Sequence, residues 1–253
     1  MNKQEIIKSK DNKQIKEAKK LLQKKYRTDS YLIEGFHLYE EARKSGALIS
    51  QVFVLEEYAP DYPEAQVVTK EVLATISDSK TPQGLVAIVF KDKVLDRLSG
   101  KILVLDQVQD PGNVGTMIRT ADAAGFDGVV LSKDSADIYS PKVMRSMQGS
   151  NFHLPILTRD LADFYEEEKN QGSQIFATTL SKNSQPYEDV LRNISENKSI
   201  IVIMGNEGQG ISDLSKKYAD VEIHIDMPGQ AESLNVAVAT GIILFTIIAD
   251  RED

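Results

Sequence analysis

The sequence predicts an α/β protein with a mainly parallel sheet, preceded by a smaller α/β domain. Short apolar runs alternate with stretches of helical periodicity along the chain. Several runs, such as Ile102-Leu103-Val104-Leu105, are apolar throughout, as in a parallel sheet covered on both faces. Two glycine-containing polar loops directly follow such runs. Gly205-Asn206-Glu207-Gly208-Gln209-Gly210 comes after 199–204, and Pro228-Gly229-Gln230-Ala231-Glu232-Ser233 after 221–227. Loops at strand ends are where open α/β sheets bind ligands.

The elements are expected in this order. A helix around 11–26 precedes a short strand at 31–33, a helix from Gly35 to about Ser45 and a strand at 51–55. Pro60, Asp61 and Pro63 break the chain, residues 69–77 read as helix, and 84–90 form a continuous apolar strand. Residues 91–100 are polar and end in Gly100, which predicts a linker and a first domain of residues 1–95. From 101 to 253 a second domain begins with a strand at 102–105, a loop at 106–112 turning at Asp110-Pro111-Gly112, and a helix at 113–124 with Asn113 as its N-cap. Strands at 128–131, 174–178, 199–204 and 221–227 follow, covered by helices at 141–148, 160–169, 211–218 and 233–249.

Composition removes several functional classes. With no cysteine and three histidines at no ligand spacing, neither a disulfide framework nor a zinc site is expected, and no metal is predicted. The start is lysine-rich rather than apolar, and the most apolar stretch, Leu234 to Ala249, is shorter than the roughly 18 to 20 residues that span a bilayer. A cytoplasmic protein without a membrane partner is expected. The net charge of −8 hides an asymmetry: residues 1–30 carry ten basic and four acidic groups, +6, leaving −14 for the rest. A basic arm on an acidic body suits phosphate-backbone contact, with Lys19, Lys20 and Arg27 as candidates. The same lysines also suit the water face of an amphipathic helix, since Ile15, Ala18, Leu21 and Leu22 recur at helical spacing.

Three segments carry a family resemblance. Asp110-Pro111-Gly112-Asn113-Val114-Gly115-Thr116-Met117-Ile118-Arg119-Thr120-Ala121, then Met204-Gly205-Asn206-Glu207-Gly208, then Glu232-Ser233-Leu234-Asn235-Val236-Ala237-Val238-Ala239 resemble the signature motifs of the SpoU/TrmH RNA ribose 2′-O-methyltransferases of the SPOUT superfamily. All three stand in the family's order. Residues 32–35 and 81–84 resemble that family's N-terminal RNA-binding domain more weakly. The resemblance implies a C-terminal trefoil knot that binds S-adenosyl-L-methionine, RNA rather than DNA as substrate, and a homodimer. It singles out Arg119, Asn113, Glu207, Ser233 and Asn235 as catalytic. Gly205, Ile225 and Leu234, with Thr178 and Met227, would touch the cofactor, and Arg145 would be a further RNA contact. Ribosomal RNA is favoured over transfer RNA because of the extra N-terminal domain. Two departures stand out: Met147-Gln148 occupy positions where the family carries a serine and then a methionine, and Asp226 stands where proline is common.

Methyl transfer to a ribose hydroxyl needs in-line positioning and recognition of the 2′-OH. A guanidinium stays protonated, so Arg119 is expected to hold phosphate and hydroxyl while an RNA phosphate or water takes the proton. Two other readings remain at this level. One is an RNA-binding protein of the same fold without methyl transfer. The other is a Rossmann-type nucleotide enzyme, although G-x-G-x-x-G order and a P-loop are both missing.

Overall fold

The computed structural model describes residues 5–92, 97–191 and 199–249. The chain divides into two compact units, Met1–Lys93 with Asp137–Phe152, and Val94–Ala136 with His153–Asp253. The linker expected around residue 95 falls partly on residues 93–96, outside the described residues.

The first unit holds α1 (Lys13–Lys20), β1 (Ser30–Glu34), α2 (Phe36–Ser45), β2 (Ile49–Leu55), β3 (Gln66–Val68), α3 (Lys70–Leu73) and β4 (Leu85–Phe90). Its sheet runs β1-β4-β2-β3, with β4 antiparallel to both neighbours and β2 parallel to β3. Ile15 and Ala18 of α1 join Leu21, Leu32, Phe53, Val72 and Val86 in its core. The lysines of α1 lie outside, so the amphipathic reading of this helix holds. The helix is shorter than the expected 11–26. Leu21 closes it with a three-residue-back bond to Ala18, and the Leu21 carbonyl is taken by Arg27 Nη1 at 2.8 Å. The expected helix at 69–77 also shortens, because Thr75 and Ile76 bond three residues back rather than four. The weaker pair of motifs meets here. Gly35, at φ +98, has the Gln83 side chain where a Cβ would stand, and its N–H donates to Leu85.

The second unit holds β5 (Lys101–Leu105), α4 (Pro111–Ala123) and β6 (Gly128–Ser132), followed, beyond α5 (Pro141–Met147), by β7 (Ile156–Arg159), α6 (Leu161–Asn170), β8 (Gln174–Thr178), β9 (Gln185–Pro186), α7 (Tyr187–Leu191), β10 (Ile200–Met204), α8 (Asp213–Tyr218), β11 (Val221–His224) and α9 (Val236–Ala249). Its sheet order is β7-β6-β5-β10-β8-β11-β9, parallel in every pairing. The apolar runs are the central strands: all five residues of β10 are buried. Each fully buried Ile or Val there contributes about 1.5–3 kcal/mol to folding. The edge strands β7 and β9 escape the sequence pattern because they are short and only partly covered.

Although α5 lies in sequence between β6 and β7, it groups with the first unit. Specific bonds hold it there. Arg27 donates to Asp137 Oδ2 through Nε at 3.1 Å and Nη2 at 2.6 Å, and the Tyr139 ring lies 4.7 Å from that of Tyr31. Lys91 caps the Tyr139 ring at 4.3 Å, and burial holds its ammonium below the ordinary lysine range. Gln148 ends α5 at φ +55 with Met147 buried, so the two residues that depart from the family tract form a helix end and a core contact.

Candidate active site

The C-terminal ends of four neighbouring parallel strands, β5, β10, β8 and β11, bring the motifs together. Asp110 lies past β5, Gly205 follows β10, Thr178 ends β8, and Ile225 and Met227 lie just past β11. β11 stops at His224 rather than 227, which leaves Ile225 and Met227 in the loop, each partly exposed. Thr178 Oγ1 donates to the Ile203 carbonyl at 2.9 Å, tying β8 to β10 at this edge. Gly205 is fully enclosed. A Cβ on it would stand 2.3 Å from the Gly210 carbonyl carbon and 2.4 Å from the Ile211 nitrogen, so only glycine lets the loop close.

Helix α4 begins earlier than expected. Asp110 is its N-cap, accepting from the Asn113 N–H at 2.8 Å, and Pro111 occupies the first turn where its missing N–H costs nothing. Asn113 is therefore not the cap, and its amide is left for other partners. Nδ2 donates to Glu207 Oε1 at 2.9 Å, and Oδ1 accepts from Asn235 Nδ2 at 3.1 Å. Asn235 Oδ1 in turn accepts from the N–H groups of Ala237 at 2.9 Å and Val238 at 3.4 Å, so Asn235 caps α9 rather than lying inside it. One line of amides thus links the three motifs and fixes the orientation of both asparagines.

Other expected residues stand apart from that line. Arg119 is exposed on α4 and makes no hydrogen bond or ion pair among the described residues. Ser233 and Leu234 are exposed ahead of α9, and no bond joins Ser233 to the asparagines. Of the RNA candidates, Lys19 is exposed, and Lys20 is exposed and pairs with Glu17 at 2.9 Å. Arg27 is a correction. It is 7% exposed, and its bonds to Asp137 and Leu21 occupy the guanidinium inside the first unit, out of reach of a phosphate backbone. Arg145 donates to Asp78 at 3.1 Å in a partly exposed pair, with its Nη1 buried.

Sequence reasoning missed Asp106, which is buried and accepts from the Ser212 N–H and Ser215 hydroxyl. An acid ending an apolar strand was its only signal. Among the described residues, no cluster of three or more His, Asp or Glu could hold a metal ion, and no helix is long and apolar enough to cross a membrane.

Comparison with known proteins agrees with this geometry. The SpoU rRNA Methylase family matches residues 100–245, and an MRM3-like substrate binding domain matches 12–87. The 23S rRNA (guanosine(2553)-2′-O)-methyltransferase RlmP of Bacillus subtilis is 39% identical over 246 residues, covering 94% of this chain and 97% of that protein. An AdoMet-bound rRNA methyltransferase from Sinorhizobium meliloti superposes with a TM-score of 0.83 at 32% identity, over 98% of this chain and 99% of the other. An RNA 2′-O ribose methyltransferase structure superposes at 0.80 with 28% identity, over 98% and 99% of the two chains. The three motifs, their convergence at one sheet edge and the match across more than half the sequence have one meaning: this chain belongs to the SpoU rRNA methylase family and is an RNA methyltransferase.

Proposed function

We propose that the protein transfers the methyl group of S-adenosylmethionine to a ribose 2′-hydroxyl of RNA, with ribosomal RNA as the substrate class. The observation that carries this reading is the line Asn235–Asn113–Glu207, which joins three motifs far apart in sequence at the ligand-binding edge of the sheet. The MRM3-like match at 12–87, and relatives that act on ribosomal RNA, support the substrate class.

The residues fit the cofactor. Thr178, Gly205, Ile225 and Met227 cluster at the ends of adjacent strands, and the enclosed backbone at Gly205 with the apolar side chains of Ile225, Met227 and Leu234 suits an adenosine and a short aliphatic arm. When bound, S-adenosylmethionine supplies a methyl already activated on sulfonium. The protein's part is then positioning. Glu207 and Asn235 hold the Asn113 amide rigid, and Asn113 with Ser233 lines the approach of the ribose. Arg119, exposed and unengaged, holds the phosphate and hydroxyl; its guanidinium stays charged, and the 2′-OH proton leaves to an RNA phosphate oxygen or to water. Lys19 and Lys20 are the backbone contacts retained from the basic arm.

In this reading residues 1–95 are the RNA-substrate domain and 101–253 the methyltransferase domain, with the C-terminal segment threaded as a trefoil knot, in a cytoplasmic enzyme. The protein is a homodimer. Val238 and Phe245, 53% and 46% exposed, lie seven residues apart on one side of α9, an apolar stripe suited to a second copy. The test is incubation with total RNA and methyl-labelled cofactor, followed by mapping of alkali-resistant linkages. Label at one ribose, reduced at least about a hundredfold by Arg119→Ala, is expected. Cofactor and RNA binding without label would identify an RNA-binding protein of this fold, and Arg119→Ala labelling at the wild-type rate would remove the role of Arg119.

A further inference from the structure

Asn206 lies between Gly205 and Glu207 and is partly buried. Each of its polar atoms is engaged. Nδ2 donates to the Gln107 carbonyl at 2.9 Å, and Oδ1 accepts from the N–H groups of Gly208 at 2.8 Å and Gln209 at 3.1 Å. Its backbone exchanges two bonds with Gly210, at 2.8 and 2.9 Å. The anchor it reaches is itself fixed. Gln107 sits at φ +58, a left-handed conformation uncommon for a residue with a side chain, and its N–H donates to Ser132 Oγ at 2.9 Å. The preceding residue, Asp106, is 1% exposed and accepts from the Ser212 N–H and from Ser215 Oγ, each at 2.7 Å. The corner after β5 therefore grips the loop twice, at Asn206 on the way in and at Ser212 on the way out. Glu207 stands between the two grips.

We propose that Asn206 is a positioning residue for the cofactor: by donating to the Gln107 carbonyl it fixes the 205–210 loop in its binding shape before the ligand arrives. The proposal rests on reading this edge as the S-adenosylmethionine site. A loop with glycines at 205, 208 and 210 has wide backbone freedom, and a ligand that had to order it would bind more weakly. The clamp removes that cost in advance and aims Glu207 at Asn113.

Asn206→Asp separates the clamp from the turn. It keeps an acceptor for Gly208 and Gln209 but offers the Gln107 carbonyl no proton. S-adenosylhomocysteine binding by calorimetry, KM and kcat with S-adenosylmethionine and RNA, and ligand-free thermal unfolding are measured for the wild type, Asn206→Asp and Asn206→Ala. Both variants are expected to bind S-adenosylhomocysteine about tenfold more weakly and to raise KM for the methyl donor by a similar factor. RNA affinity is unchanged, and the ligand-free Tm of Asn206→Asp stays within about 2 °C of the wild type. If Asn206→Ala does not fold, Asn206→Asp alone decides. Wild-type affinity in Asn206→Asp overturns the proposal, and so does a loss of affinity matched by a loss of Tm, which marks a structural role. A wild-type protein that binds no S-adenosylhomocysteine overturns the reading of the site and this inference with it, a result distinct from intact binding in both wild type and variants.

Discussion

Glu168 sits on the inner side of α6, 3% exposed, with the Ser173 hydroxyl donating to it at 2.6 Å. Burial raises its carboxyl above the ordinary 4.5, and the Ser173 bond works the other way without cancelling it. The unfolded chain releases this proton near the ordinary value, while the folded chain keeps it until higher pH. The stability it contributes is therefore fully present below 4.5 and is lost as pH rises through the raised folded value. Glu168→Gln, which cannot ionise, is expected to raise Tm at about pH 7.5 and leave it unchanged at about pH 4. Equal Tm for the two proteins at both values would show that burial does not raise this carboxyl. The sequence did not distinguish such a group from its neighbours: Glu166, Glu167 and Glu168 read alike, and only helix phase turns one inward. Arg27 is the same case in the other sign. It is one of ten basic residues in the first thirty, and the acid that pairs with it lies 110 positions away.

Helix ends carry much of the site, because a cap fixes a side chain as well as a backbone. Asn235 caps α9 through its Oδ1 and reaches Asn113 through its Nδ2. The two jobs use different atoms, so two substitutions separate them. Asn235→Ala is expected to cost about 1 kcal/mol, a fall in Tm of about 2–4 °C, together with activity. Asn235→Asp keeps the cap and loses the donor, so it should keep the wild-type Tm within about 1 °C and still lose methyl transfer. An active Asn235→Asp enzyme would show that the Asn113 contact does not matter. Element existence was legible where the apolar runs are long, as at β5, β8 and β10, and so was the order of strands and helices. The ends were not. Pro111 and Gly112 read as a turn but start α4, because proline at the first helical position looks the same in sequence as proline in a bend.

At the scale of the molecule, the exposed stripe on α9 predicts association. α9 is apolar almost all round, with Ala237, Thr240, Ile243, Leu244 and Ile247 facing inward and Val238 and Phe245 facing out. Light scattering is expected to give twice the 28.1 kDa chain mass for the wild type and a single chain for Val238→Asp with Phe245→Glu. A wild-type protein eluting as a monomer at micromolar concentration would leave the stripe without the proposed partner. From sequence this helix could equally have been buried within its own chain. An apolar pattern reports that a face avoids water and says nothing of what covers it.

By itself the sequence determined the architecture and the chemistry on offer. Uniformly apolar runs dictated a parallel sheet, because strands covered on both faces tolerate no polar alternation, and the three motifs named the residue types of a methyl-transfer site. Tertiary structure alone decided which of those residues meet. It put Asn113 between Glu207 and Asn235, left Arg119 exposed, took Arg27 into a buried pair, paired Arg145 with Asp78 at the surface, and set α5 with the first unit. The physical reason is the same in each case. Periodicity reports how a residue relates to water, whereas partnership depends on distances across the fold between positions that the chain keeps about a hundred residues apart.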